Sequence, residues 1–322
     1  MKIDLLDKKI LLELDQNSRL SYPQLSRKVH ASKEVVAYRI RRLVDQKVIS
    51  HFYTIISLST LGYFNYKIYA QLHGLSEEKE HILIQKLKDN KDIVWLATCE
   101  GRWDLMISFY AKHIQEFAEM KAKVFEIIGQ HIQEYAIIIN EDGFILHRDY
   151  LGQRRNISRA IIPYLGNVGT LIIDEKERNL LIALATDSRL PITEIANASG
   201  YSTKTVIEKI RTLKKSNLIQ SFTIGINLAA INYFGFKIFI YLQDLSRESY
   251  SSIFNFCKEF PQVRHIIKIL GAWELELELE TPNPRDLQLI IKKLKNRFPD
   301  KIKRIESVTN LNEIKLEFFP KI

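Results

Sequence analysis

The side chains best arranged to do chemistry in this 322-residue chain lie on a short basic segment, "SKEVVAYRIRRLVDQ". At 100° per residue a helix here puts Val36, Ile40 and Leu43 on one face and Glu34, Tyr38, Arg41 and Arg42 on or near the opposite one. Such an outward face can enter the DNA major groove, while neighbouring Arg27, Lys28 and Lys33 hold phosphates. The segment recurs as "STKTVIEKIRTLKKS", where the same face carries Thr203, Lys204, Glu208 and Arg211. Glu208 replaces Tyr38 and would sit close to phosphates, so weaker or different DNA binding is expected of this second helix. A solvated surface helix has the same composition. What favours DNA is the short turn before the helix, its serine cap, the local charge and the repetition.

A second pair of segments, "EGRWDLM" and "LGAWELE", places Gly101, Arg102, Trp103 and Asp104 opposite Gly271, Trp273 and Glu274. Read from the residues alone, the glycines shape turns, the tryptophans pack at a sheet interface and the acids are solvated. From Glu274 to Glu280 every second residue is glutamate, a strand with one apolar and one acidic face. The acidic face needs water or basic partners, and evenly spaced strand acids do not converge on a metal ion. Cys99 and Cys257 stand alone, without CxxC spacing, and are read as packing residues. The chain has no P-loop, HExxH, GxSxG or dinucleotide fingerprint, so neither catalysis nor a cofactor is expected.

These segments belong to a chain that repeats itself. Ser18-Arg19-Leu20 returns as Ser188-Arg189-Leu190, Tyr63-Phe64 as Tyr233-Phe234, and Gly101, Trp103 and Leu105 as Gly271, Trp273 and Leu275, always at an offset of 170. Each copy opens with apolar residues at helical spacing (Ile3, Leu6, Ile10, Leu11 and Leu14 in the first), then two more short helices capped by Ser21 and Ser32. The gap between the second and third helices suits only a tight helix-turn-helix. Gly200 ends the second helix of copy two, whereas copy one has His30, a departure that bears on the turn. β-Branched and aromatic segments follow, read as a wing hairpin and a sheet strand, and then a β-α-β-β-α-β order. One face of such a sheet takes its two helices; the other needs a second sheet.

The fold class expected is α+β, two tandem copies of a winged helix-turn-helix followed by a ferredoxin-like βαββαβ domain. The boundaries expected are 1–60 and 61–151 for the first copy, a linker at 152–172 holding Pro163, Gly166 and Gly169, then 173–230 and 231–322. With 46% hydrophobic and 26% charged residues the composition is that of a globular protein. No uncharged apolar run reaches the ~18 residues of a membrane span, so a cytoplasmic protein is expected. The formal charge, 47 − 38 = +9, suits a polyanionic partner. Residues 1–50 carry 11 basic against 6 acidic residues, 51–150 carry 10 against 14, and the linker adds Arg154, Arg155 and Arg159.

Taken together, "LDKKILLELDQNSRLSYPQLSRKV", "VVAYRIRRLVDQKVI" and the "EGRWDLM" turn resemble the Lrp/AsnC, or feast/famine, transcription regulators, across both copies. The resemblance implies DNA as partner and a ligand-sensing module that drives self-association. It also implies amino-acid effectors at the turns, with Asp104 and Glu274 as charge partners for an ammonium group. A typical member has one copy, so here the usual dimer is expected within one polypeptide or as a homodimer. Siroheme decarboxylases resemble the same fold as paired halves, which makes a tetrapyrrole enzyme the alternative. Seven of the eight histidines, including His51, lie in copy one, but "SHFYTI" lacks the Arg-rich run such an enzyme implies.

Overall fold

The computed structural model of the chain describes residues 3–152, 161–166, 168–317 and 319. Copy one opens with α1 (Leu5–Gln16), α2 (Tyr22–Val29) and α3 (Lys33–Asp45). Asp4 and Ser21 start the first two with reciprocal capping boxes, and Ser32 accepts from the Val35 amide at the head of α3. Copy two repeats this as α6 (Glu175–Thr186), α7 (Ile192–Ser199) and α8 (Thr203–Lys215). Between the last two helices Gly200 takes φ 70°, and His30 takes the same left-handed conformation at φ 55°. The turn is therefore the same in both copies, despite the roughly 1–2 kcal/mol that a non-glycine residue costs there.

The expected wing hairpin does not form within a copy. β1 (Ile49–Ile56) pairs antiparallel with β7 (Ile219–Ile226) of the other copy, making a two-stranded ribbon between them. Each strand is followed by a short 3-10 turn that diverts the chain into the sheet below, so no second local strand is available. Each helix-turn-helix core is then completed by the other copy. Ile224, Ile226 and Ile231 pack with Leu11, Leu25 and Val36, while Ile56, Leu58 and Leu61 pack with Leu181, Ile195 and Val206.

The ferredoxin-like modules comprise β2 (Phe64–Leu72), α4 (Glu77–Asp89), β3 (Trp95–Glu100), β4 (Leu105–Ala111), α5 (Ile114–Ile128) and β5 (Ile132–Leu146) in copy one. Copy two supplies β8 (Phe234–Leu242), α9 (Arg247–Lys258), β9 (Val263–Leu270), β10 (Leu275–Thr281), α10 (Arg285–Arg297) and β11 (Ile302–Leu316). The two sheets face each other as expected, and they also join along both edges. β5 and β11 are 15 residues each, long enough to pair with their own copy's first strand and then with the other copy's second, β9 or β3. The pairing β2-β4-β3-β11-β8-β10-β9-β5 closes back on β2, an eight-stranded antiparallel barrel without free edges. Helix-facing residues such as Ile68, Ile107 and Phe109 bury under α4 and α5, and Ile238, Leu277 and Leu279 under α9 and α10.

The stretch expected to be linker contains a strand, β6 (Ile161–Leu165), hydrogen-bonded to the outer end of β5. Pro163 is compatible with it because β6 is an edge strand, where a missing N–H costs no ladder bond. Arg154, Arg155 and Arg159 lie outside the described residues.

Candidate nucleic-acid interface

On α3 the capped start and the buried stripe Val36, Ile40 and Leu43 fix which residues face outward. Lys33, Glu34, Tyr38 and Arg41 are exposed, Tyr38 at 62%. On α8, with Val206 and Leu213 buried, the exposed set is Thr203, Lys204, Glu208 and Arg211. Arg27 and Lys28 are exposed on α2. Arg27 donates to its own helix at Pro23, and Lys28 lies 2.8 Å from Glu13. Glu34 bonds back to Ser32 and the helix start, which holds its carboxyl below the usual range.

Arg42 corrects the expectation that it belongs to the outward face. It turns back to the buried Asp7 on α1 at 2.5 Å, and Arg39 reaches Asp4 and Asp7 at 2.5 and 3.2 Å. Copy two makes the equivalent brace with Lys209 on Glu177, 2.7 Å apart. At 100° per residue, position 42 lies at the border of the two faces, and a buried carboxylate on the neighbouring helix decides it. In each copy some cations clamp the third helix to the first, and Arg41 or Arg211 remains without a carboxylate partner among the described residues.

The two units meet about a pseudo-two-fold axis. The Ser18 and Ser188 hydroxyls hydrogen-bond at 2.6 Å, fully buried. Arg19 donates to the Ser188 carbonyl while Arg189 donates to that of Ser18. The Ser18 amide donates to Phe222 and the Ser188 amide to Phe52. These reciprocal bonds place α3 and α8 as a symmetric pair, as the interface of a two-fold dimer would.

The turn residues are built into the barrel. Trp103 and Trp273 are fully buried inside the barrel, ring centres 6.2 Å apart. One oxygen of Asp104 accepts from the Leu72 amide and one of Glu274 from the Leu242 amide, each at 2.7 Å. Each of these acids, expected to meet an ammonium group, holds a backbone amide of its own sheet through one oxygen. Gly101 and Gly271 are needed because the other copy's long strand passes close; a Cβ on Gly271 would lie 2.9 Å from the Ile137 carbonyl oxygen. Arg102 pairs with Glu306 and Glu134.

Sequence reasoning missed two buried ionic groups below the helices. Inside the barrel, Glu276 accepts from the Tyr69 hydroxyl at 2.6 Å, from Lys67 at 3.1 Å, from Lys237 at 3.3 Å and from the Trp273 indole at 3.1 Å. Glu278 pairs with Lys237 at 2.9 Å and His265 at 2.6 Å. Burial alone would raise both carboxyls, but Lys237, with Lys67 or His265, holds them below their usual range. At the barrel end, Arg148 reaches Asp15 of α1 and Glu280 of β10, each at 2.7 Å, and Arg264 lies 3.3 Å from Asp15. This ties the first helix to the barrel. The acidic face of β10 was legible as needing basic partners, but Lys67 and Arg148 are too distant in sequence to be paired with it by spacing.

Comparison with known proteins accords with this geometry. A family described as winged helix-turn-helix DNA-binding matches residues 3–50 and 173–220, the three-helix segment of each copy. The regulator FL11 of Pyrococcus furiosus is 25% identical over 137 residues, which span 42% of this chain and 84% of that protein. The regulator LrpA of Pyrococcus horikoshii is 29% identical over 140 residues, 44% of this chain and 93% of that protein. These Lrp/AsnC-type regulators are homologues of the chain. Each of these relatives corresponds to about one copy, and the winged helix-turn-helix matches twice, in tandem. The solved structure of the siroheme decarboxylase NirDL resembles both copies together, covering 98% of this chain and 93% of that one with TM-score 0.61 and 11% identity, a likeness of fold. Among the described residues no helix is long and apolar enough to cross a membrane.

Proposed function

We propose that this chain is an Lrp/AsnC-type, sequence-specific DNA-binding transcription regulator in which one polypeptide supplies both recognition helices. The observation that carries the reading is the pseudo-two-fold seam at Ser18 and Ser188, which holds two capped, basic third helices with Arg41 and Arg211 exposed. Base contacts come from the outward faces of α3 and α8, and phosphate contacts from Arg27, Lys28, Lys33 and Lys204. Selection of genomic fragments by the purified chain, followed by the Arg41→Ala and Arg211→Ala variants, tests it. Specific fragments retained by the wild type and weakened in both variants support the reading; retention of none rejects it.

An amino-acid-like effector acting through the turns at Asp104 and Glu274 belongs to the same proposal. It would change DNA affinity only by binding one arrangement of the barrel better than another.

The second reading is a tetrapyrrole enzyme, favoured by the whole-chain likeness to NirDL and by His51. That ring, carried by β1 of the ribbon, feels the charge of Arg148, and burial pushes its pKa down to about 4. A visible absorption change on mixing with an iron tetrapyrrole, in a protein that retains no DNA, would favour this reading instead.

A further inference from the structure

The two recognition faces are held alike but are not alike. At matched positions, 170 apart, Arg41 and Arg211 are the same residue, while Lys33 faces Thr203, Glu34 faces Lys204, Val35 faces Thr205, and Tyr38 faces Glu208. Over positions 33, 34, 38 and 41 the formal charge is 2 − 1 = +1, and over 203, 204, 208 and 211 it is also 2 − 1 = +1. What differs is where the carboxylate stands. Glu34 is at the helix start, where the Ser32 hydroxyl and the helix amides engage it. Glu208 is more than a turn further along, exposed, and paired with no cation among the described residues. A carboxylate at that position repels phosphates but accepts from the exocyclic amine of cytosine. Tyr38 and the 41% exposed Val35 offer apolar contact at the corresponding places in copy one, which suits the methyl group of thymine.

The barrel keeps these unlike faces together. At matched inward positions β10 has Glu276, Glu278 and Glu280 where β4 has Met106, Ser108 and Tyr110. Two copy-one modules facing each other would bury Lys67 twice with none of these acids. Two copy-two modules would bury six such glutamates against two copies each of Lys237, His265 and Arg264, with neither Lys67 nor Arg148. Only unlike modules bring Lys67 and Arg148 to Glu276 and Glu280, so every barrel of this kind carries one recognition face of each type.

Resting on the DNA-binding reading above, we propose that the chain reads a non-palindromic target. Both half-sites hold a guanine, contacted by Arg41 in one and Arg211 in the other. The copy-two half-site alone holds a cytosine read by Glu208, and the copy-one half-site has thymine against Tyr38 and Val35. The test is selection of the full chain on randomised duplex DNA, for the wild type, Glu208→Tyr and Tyr38→Glu, with each variant's fold checked by circular dichroism. The expected result is two unequal half-sites about one helical turn apart. Glu208→Tyr should abolish the cytosine preference, a loss of roughly tenfold or more in discrimination at that base pair, and leave both guanines. Tyr38→Glu should add a cytosine to the other half-site. Identical half-sites for the wild type, a single half-site, or a Glu208→Tyr selection unchanged from wild type would overturn the proposal while leaving DNA binding intact. No enrichment at low salt would overturn both.

Discussion

The seam between the helix-turn-helix units and the interior of the barrel join the same two copies, yet one has kept its symmetry and the other has lost it. At the seam the hydrogen bonds of the two turns have counterparts 170 residues on: Ser18 with Ser188, Arg19 with Arg189, Phe222 with Phe52. In the barrel, Trp273 donates to Glu276, but the position matched to Glu276 holds Met106, and the buried Trp103 indole N–H has no partner among the described residues. Within one chain a copy never has to face itself. The interior is therefore free to become complementary, acid in one half and base from the other, while the seam stays symmetric because it must still present two helices as a pair.

The largest effect that would sharpen this contrast is at the ionic link between α1 and the barrel. Arg148→Met leaves Glu280 buried without its bidentate cation and Asp15 with only Arg264 of its two arginines, and should cost about 3–5 kcal/mol in chemical denaturation. Glu276→Gln should cost less, about 2–3 kcal/mol, because Lys237 keeps Glu278. Joint replacement, Lys67→Met with Glu276→Met, should recover part of that loss. If the single and double variants melt alike, the interior pairs are not coupled and the complementarity is incidental.

Acid should separate the two regions as well. Asp15, Glu276, Glu278 and Glu280 are each held below the usual carboxyl range by buried cations that outweigh desolvation. Their contribution to stability is present above the unfolded pKa of about 4 and is lost as pH falls below it. His51 acts earlier: burial depresses it to about 4, so the stability of its neutral form is present above about 6.5 and fades as pH falls toward 4. His51→Gln should flatten melting temperature against pH between those values; an unchanged slope would show that the ring titrates freely.

Smaller effects are expected on the outer surface. Arg41→Ala should weaken DNA binding roughly tenfold and reduce the salt slope by about one unit. Arg42→Ala should cost about 1 kcal/mol of stability, since Arg39 still holds Asp7, and leave that slope unchanged. The reverse ranking would show that Arg42 leaves α1 to reach DNA. Thermal-shift screening of the amino acids should give the smallest change of all, because one oxygen of Asp104 and of Glu274 is already committed to the sheet. A stabilising ligand lost in Asp104→Asn would restore the sensing role.

Much of the architecture was legible in the sequence because it rests on local signals: helical stripes, the caps at Ser21 and Ser32, and a repeat at a constant offset up to residue 105. The repeat made the pairing of sheets foreseeable. What was not legible depends on which strand meets which. The ribbon of β1 with β7 was read as a local hairpin because its β-branched run has no mark of a distant partner. In the same way, Pro163 spoke for a linker until β5 supplied an edge for β6 to join. At the candidate interface, spacing separated the outward from the inward face, but the border residue Arg42 was decided by a carboxylate on another helix.

The central claim is that a single chain delivers both recognition helices to one DNA site. It is tested most directly by the stoichiometry of the complex, measured by sedimentation equilibrium on a selected duplex long enough for two half-sites at low salt. One chain per duplex, with affinity lowered by either Arg41→Ala or Arg211→Ala, is the result expected. Two chains per duplex, with Arg211→Ala without effect, would mean that copy two only supports the fold and that pairing of separate chains does the reading.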